Sequence, residues 1–224
     1  MARPRNVLLA ALAAAAVSTA AALAAATPVA PSPAASVRTS HPRFAWTLPP
    51  GEQSQGIFVA DKPTVSPQGR FYDENIVQFG VLAPNDRAWT PSSPLYAGRY
   101  WWNVWSSDQD TFAIYSAPMG FRIPVSLAVR RVRARRYPSV HSLEVHVRWR
   151  ANVRRPLVRL RMRLGRRIVW KASRREHSAA GSSGSTSFSW HRPREIMQGA
   201  RLRLVASISF GRVRRARAVV VRAP

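Results

Sequence analysis

The chain has 224 residues, of which 46% are hydrophobic and 20% charged, and a formal net charge of +25 at pH 7. This length fits one large or two small domains, and the hydrophobic share is sufficient for packed cores. Because cysteine is absent, disulfides, zinc–thiolate sites, iron–sulfur clusters, cysteine nucleophiles and a lipidated N-terminal cysteine are excluded.

The N-terminus has the layout of a secretory signal peptide, residues 1–26. Arg3 and Arg5 precede an uncharged, alanine-rich stretch that ends in small residues. We expect cleavage near Ala26 and a mature protein that is secreted or associated with the cell envelope. The alternative is an uncleaved anchor, since about 20 apolar residues can span a bilayer, although alanine contributes little to insertion. Residues 27–40, rich in Pro, Ala and Ser, are predicted to be an extended tether.

Charge divides the remaining chain into two halves. Residues 27–124 carry seven basic and seven acidic residues, whereas residues 125–224 carry 26 basic residues against three acidic ones. Such a difference in composition predicts two domains, residues 41–124 and residues 125–224, which join near Ile123-Pro124.

The first half contains five short runs of β-favouring residues, each bounded by Pro, Gly, Asn or Asp: residues 44–49, 55–61, 75–82, 99–106 and 119–124. No stretch of similar length keeps a helical period. Runs at this spacing predict an antiparallel β-sandwich. Within the fourth run, Tyr100, Trp102 and Val104 share one face of the strand, and Trp101 and Trp105 share the other.

The order of these residues resembles that of a fibronectin type III domain over about residues 38–124. The matching positions are an early tryptophan, a Leu-x-x-Gly-x-Tyr sequence and a Tyr-x-Trp-x-Val strand, formed here by Trp46, Leu95, Gly98, Tyr100, Trp102 and Val104. The resemblance implies that the large side chains of this set are core residues. It also implies that the hydroxyl of Tyr100 hydrogen-bonds to the backbone near Leu95.

Trp101 and Trp105 form a candidate aromatic surface. On one strand they lie about 6.6 Å apart, at a rise of about 3.3 Å per residue. Two interpretations stay open. A neighbouring loop or the second half covers both rings, or the rings stack on successive sugar units and the protein is a carbohydrate-binding module.

Three runs in the second half alternate apolar and polar residues: residues 143–150, 158–165 and 200–210. This period of two predicts a second antiparallel β-sandwich, and it loosely resembles an immunoglobulin-like module without the Cys-Trp-Cys signature. The predicted fold is therefore all-β, with two tandem antiparallel β-sandwiches. The sequence GSSGS, residues 181–185, is predicted to be a hairpin loop.

The outward positions of these alternating runs are rich in arginine. The candidate polyanion-binding residues are Arg148, Arg150, Arg159, Arg161, Arg163, Arg201 and Arg203. Arginine forks bind phosphate and carboxylate groups in bidentate fashion, so the expected partner is an anionic cell-envelope polymer or acidic polysaccharide, with anionic lipid headgroups and released DNA as further candidates. The alternative is compositional, because a G+C-rich genome favours arginine codons, but codon bias does not explain a charge confined to one half.

No motif for catalysis, metal binding or cofactor binding stands out. The five histidines have no metal-ligand spacing on a shared strand face, the acids are scattered, and phosphate loops, calcium loops and nucleophile elbows are absent. We therefore predict a non-enzymatic binding or structural protein, adhesive and bacterial, in which the fibronectin-like half is a spacer or contacts another protein. Nucleic acid is the less favoured partner, since export is predicted and no nucleic-acid module is recognisable.

Overall fold

The computed structural model describes residues 25–51, 54–107 and 112–224, so the predicted signal peptide lies outside the described residues except for its last two positions. The regular secondary structure of the described chain is all β-strand except for two short 3₁₀ turns at Asp73–Asn75 and Pro138–Val140. None of its helical turns has the length and apolar character needed to cross a membrane. The predicted all-β fold with antiparallel sheets is confirmed.

The first sandwich contains two facing sheets. Its strands are β1 (Thr27–Ala30), β2 (Ala35–Ser36), β3 (Phe44–Thr47), β4 (Ser54–Ala60), β5 (Ile76–Leu82), β6 (Ala88–Trp89), β7 (Gly98–Ser107), β8 (Ile114–Tyr115) and β9 (Met119–Ile123). One sheet has the order β1-β3-β6, and the other has the order β2-β9-β7-β4-β5 with β8 also paired to β7. All pairings are antiparallel except β2 with β9.

The core of the first sandwich contains the residues that the fibronectin-like pattern implied. Trp46, Leu95, Tyr100, Trp102 and Val104 are all buried, and they belong to one hydrophobic cluster. The hydroxyl of Tyr100 donates a hydrogen bond of 3.0 Å to the carbonyl oxygen of Tyr96, next to Leu95. The implied tyrosine corner is therefore present, and it ties the start of β7 to the preceding loop.

Residues 27–40 are not a free tether, contrary to the sequence-based expectation. Thr27–Ala30 pairs with β3, and Ala35–Ser36 pairs with β9, so that β2 forms the edge of that sheet. A Pro- and Ala-rich segment is already extended, so it can complete the edges of two sheets without a change of backbone conformation. The first sandwich thus begins before residue 41.

The second sandwich also contains two facing sheets. Its strands are β10 (Leu127–Tyr137), β11 (Ser142–Ala151), β12 (Leu157–Leu164), β13 (Arg167–Arg175), β14 (Ser183–His191), β15 (Arg201–Phe210) and β16 (Val213–Arg222). One sheet has the order β10-β11-β14 and the other has the order β13-β12-β15-β16. The predicted inward residues of β11, β12 and β15 are buried in a shared cluster, apart from the terminal Leu164 and Phe210.

Three details of the second half differ from the sequence-based expectation. Ser207, expected to face solvent, is 2% exposed, and Arg214 donates a hydrogen bond of 3.3 Å to its hydroxyl. Phe210, expected inside, is 43% exposed because it ends β15 beside a tight turn. The GSSGS segment is a loop only as far as Ser182, because Ser183 and Gly184 already pair with β11. Gly184 lies under the ring of Trp149, where a Cβ atom would collide with it.

Asn152 connects the two sandwiches at their junction. Its side-chain oxygen accepts a hydrogen bond of 2.7 Å from the backbone N–H of Ser126, and its amide nitrogen donates one of 2.8 Å to the carbonyl of Pro124. Its own carbonyl accepts a hydrogen bond of 2.8 Å from Ala97 in the first sandwich. The linker between β9 and β10 is therefore held by one buried side chain.

Burial raises the pKa of the Tyr100 hydroxyl above its ordinary value, and the nearby positive charge of Arg154 partly offsets this effect. In the unfolded chain the same hydroxyl has the ordinary tyrosine pKa, about 10. The unfolded state then binds fewer protons than the folded state. The contribution of Tyr100 to the free energy of unfolding is therefore fully present below that pH and decreases as the pH rises further.

Replacing Tyr100 by Phe should make the protein less sensitive to alkaline pH. At neutral pH the variant should lose about 0.5–1.5 kcal/mol of stability with the corner hydrogen bond. Its free energy of unfolding should then fall less steeply than that of the wild type above about pH 10. Urea unfolding across this pH range measures both effects, and the exposed Tyr72→Phe is the matched control. Equal slopes for the three proteins would contradict the assignment.

Candidate polyanion-binding faces of the second sandwich

The seven candidate arginines do not form one surface. Arg148 and Arg150 lie on β11, whereas Arg159, Arg161 and Arg163 lie on β12 and Arg201 and Arg203 lie on β15. β11 and β12 belong to different sheets of the second sandwich. Because the apolar side chains of both strands point into the shared core, their polar faces point away from each other. The protein therefore has two basic faces, on opposite sides.

The first of these, which we name the β11 face, is formed by the outward side chains of β10, β11 and β14. Arg131 of β10 stands directly opposite Arg148 of β11, and Arg133 stands opposite His146. Together with Ser185 of β14, these four side chains line a shallow concavity of about 160 Å³. A depression walled by three guanidinium groups and a hydroxyl is suited to the oxygens of a phosphate, sulfate or carboxylate group.

A row of hydroxyl groups borders the arginines on the same face. β14 alternates exposed serines with buried residues along its length, and the exposed set is Ser183, Ser185, Ser187 and Ser189. The hydroxyl of Ser187 lies 2.8 Å from Nδ1 of His146, whose Nε2 lies 3.3 Å from a carboxylate oxygen of Glu144. Serine hydroxyls can donate to anionic oxygens, so the row extends the hydrogen-bonding capacity of the face beyond its charges.

Sequence analysis missed the arginines of β10, which are Arg131, Arg133 and Arg135 on the β11 face. A β-bulge at Arg130 shifts the register between Val129 and Arg131. Before the bulge Leu127 faces the core, and after it Val132 does, so the apolar residues do not keep one period of two. The alternation of Arg131, Arg133 and Arg135 after the bulge was the sequence signal that could have assigned these arginines to one face of a strand.

The second basic surface, which we name the β12 face, is the outer face of the four-stranded sheet. Arg159, Arg161 and Arg163 follow its central strand, with Lys171 opposite Arg161 and Arg203 opposite Arg163. The three β12 arginines are half-buried, because strands flank them on both sides. A further pocket of about 390 Å³ at the end of this sheet is lined by five arginines, Arg155, Arg159, Arg175, Arg212 and Arg214.

Both faces bring like charges together with few acidic partners. In the described part of the second sandwich, the ion pairs are Glu144 with His146 and Glu176 with Arg174. Guanidinium groups directly opposite each other, as at Arg131 and Arg148 or Arg163 and Arg203, destabilise a sheet. A bound polyanion would relieve this repulsion, and so would salt.

Trp101 and Trp105 share the outer face of β7, as the alternation predicted. Both are half-buried, and their rings lie against glycines of neighbouring strands, Gly120 beneath Trp101 and Gly56 beneath Trp105. Asn103 between them is fully buried. Its amide nitrogen donates a hydrogen bond of 2.8 Å to the carbonyl of Gly69 in the loop after β4. The two rings are therefore separated by a loop contact and do not form a continuous platform.

Alanine at both Trp101 and Trp105 should lower stability, because each ring covers a glycine that has no side chain of its own to pack. We expect a loss of about 1–3 kcal/mol for the double variant, since each ring is only partly buried. Phe112→Ala, at a 96% exposed site of the first sandwich, is the control and should change stability by less than about 0.5 kcal/mol. Thermal unfolding compares them, and a double variant as stable as the control would contradict a packing role for the two rings.

Comparison with known proteins finds only distant structural likenesses. No protein-family model matches the chain, and no curated protein does. Among similar solved structures is a two-domain fibronectin type III segment of chicken tenascin, with 10% identity over 89% of this chain and 100% of that one and a TM-score of 0.45. Chicken interferon gamma receptor alpha chain has 10% identity over 91% and 100%, with a TM-score of 0.35. The BSP domain of a biofilm-associated protein has 12% identity over 87% of this chain and 29% of that one, with a TM-score of 0.27. Likenesses of this size transfer no ligand or activity to this chain.

Proposed function

We propose that the protein is a non-enzymatic, secreted or envelope-associated bacterial protein whose second sandwich docks on anionic polymers. The first sandwich is the spacer, or it contacts another protein. The observation that carries this proposal is the pair of arginine-rich faces on opposite sides of one sandwich, with arginines directly opposite each other at Arg131 and Arg148. A fold that tolerates such repulsion gains most from a ligand that neutralises it.

The nature of the two faces favours a flexible polymer over a small ligand. Their arginines are spread along whole strands, and the concavity on the β11 face, about 160 Å³, holds only one small anionic group. Many weak contacts with successive phosphates or carboxylates match this layout better than one deep site does. Teichoic-type wall polymers and acidic polysaccharides carry such repeated charges.

Retention on anionic polymers tests the proposal. The purified protein should sediment with isolated Gram-positive cell wall and bind immobilised poly(glycerol phosphate), and it should not bind a neutral glucan. Raising the salt from about 0.05 M to 0.5 M should release it, because the screening length falls from roughly 14 Å to 4 Å. Free protein at low salt, or equal retention on the neutral glucan, would overturn the proposal. Retention on glucan that salt does not release would favour the carbohydrate-binding alternative at Trp101 and Trp105.

A further inference from the structure

Strand β5 is an unprotected edge of the larger sheet in the first sandwich. It stands at the end of the order β2-β9-β7-β4-β5, and in the part of the chain that the structure describes no strand pairs with its other side. Its seven residues, IVQFGVL, include neither a charge nor a proline. The free backbone N–H and C=O groups of such an edge are a template for another strand.

The other edge strands in the described part of the chain are charged, polar on their outward side or short. β10, β13 and β16 carry arginines along their length, β14 presents serines outward, and β1, β2 and β6 have four residues or fewer. Charged side chains and short edge strands both prevent pairing between molecules. β5 therefore differs from its counterparts in length, neutrality and apolar character together.

The outward side chains of β5 are large and apolar. Phe79 is 66% exposed and Val81 is 77% exposed, and both point away from the core on the face opposite Leu82. A bulge disturbs the pairing of β5 with β4 at Val77, so the regular part of the strand is Gln78–Leu82. This stretch is symmetric about Gly80, with one large apolar outward residue on either side.

We propose that β5 pairs with β5 of a second copy of this chain, antiparallel and centred on Gly80. In this register Phe79 of each copy stands opposite Val81 of the other, which gives two aromatic–β-branched pairs of the kind that stabilises sheets. No charged residue lies within the paired stretch, so no like charges meet in it. The two-fold axis makes the interface self-complementary and closed, and it joins two sheets into one continuous sheet.

Salt should affect this dimer and the polymer binding in opposite directions. Two copies that each carry a formal charge of +25 repel each other, and this repulsion weakens as salt increases. Polymer binding weakens under the same conditions. The dimer can therefore be measured at about 0.5 M salt, where the screening length is roughly 4 Å, without contribution from the proposed function.

Sedimentation velocity over a range of concentrations tests the dimer and its register. The wild type should change from monomer to dimer as the concentration rises. Phe79→Lys with Val81→Lys places lysine opposite lysine and should leave only monomer. Phe79→Lys with Val81→Glu places lysine opposite glutamate in the proposed register and should restore the dimer. Val220→Lys, at a 54% exposed site on the edge strand β16, is the matched control and should dimerise as the wild type does.

Each outcome decides the inference. A wild type that is monomeric at every concentration would overturn it, as would a dimer that persists in the Lys/Lys variant or is lost in the Val220→Lys control. If the Lys/Glu variant is as monomeric as the Lys/Lys variant, the Gly80-centred register is wrong. Circular dichroism checks that every variant is folded, which we expect because Phe79 and Val81 are exposed and their replacement removes no core contact.

Discussion

Replacing Arg131, Arg133 and Arg148 by glutamine should reduce the affinity for poly(glycerol phosphate) by roughly 100-fold at low salt. These are the three guanidinium groups around the concavity of the β11 face. Each basic residue next to an anionic surface contributes about 1 kcal/mol, and three such contacts give about 3 kcal/mol, or about two powers of ten. Glutamine keeps most of the length and polarity of the side chain, so the change removes charge with little change in packing. Binding isotherms at several salt concentrations measure the effect.

The β12 face supplies a control with the same change in net charge. Arg161, Arg163 and Arg203 replaced together by glutamine should weaken binding by less, because these residues of the β12 face lie outside the arginine-lined pocket at the end of that sheet. The slope of log affinity against log salt should also fall by about 0.7–0.9 for each contact that is lost. Equal losses in the two triple variants would mean that total charge alone drives binding, which contradicts a site on the β11 face.

The sequence predicted those strands that have one face in the core and one in solvent. β11 is the clearest case, since Leu143, Val145 and Val147 are buried while Arg148 is exposed between apolar neighbours. Strands of two residues, such as β6 at Ala88–Trp89, are too short to show a period. The arginines of β10 were missed for a different reason, because the bulge at Arg130 changes which alternate residues face the core.

The arrangement of the site could not be predicted from alternation alone. The patterns of β11 and β12 are nearly identical, yet the connection between them crosses from one sheet to the other. Whether Arg148 and Arg159 lie side by side or on opposite faces therefore depends on this crossing, which no local pattern encodes. The loop contact of Gly69 with Asn103 is likewise long-range, and it is what separates Trp101 from Trp105.

Replacing Trp149 by alanine should produce the largest loss of stability in the second sandwich. Its ring is buried against Gly184, and its indole N–H donates a hydrogen bond of 2.9 Å to the hydroxyl of Thr186. That hydroxyl donates a further hydrogen bond of 3.0 Å to the carboxylate of Glu176. A cavity of this size costs about 3–5 kcal/mol, and the melting temperature of a domain of about 100 residues should fall by at least about 12 °C.

Trp170→Ala is the matched control, because this tryptophan on β13 is only partly buried and contacts Phe188 edge to face at 6.3 Å. Thermal unfolding followed by near-UV circular dichroism should show a clearly smaller decrease in melting temperature for it, and a decrease as large as that of Trp149→Ala would contradict the assignment.

Trp149 also lies between Arg148 and Arg150 on β11. The Trp149→Ala variant should therefore detach from anionic polymer only at the temperature where the second sandwich unfolds. The variant with Arg131, Arg133 and Arg148 replaced by glutamine should lose binding while it is still folded. Comparing retention with unfolding at the same temperatures therefore separates the loss of the scaffold from the loss of the charges.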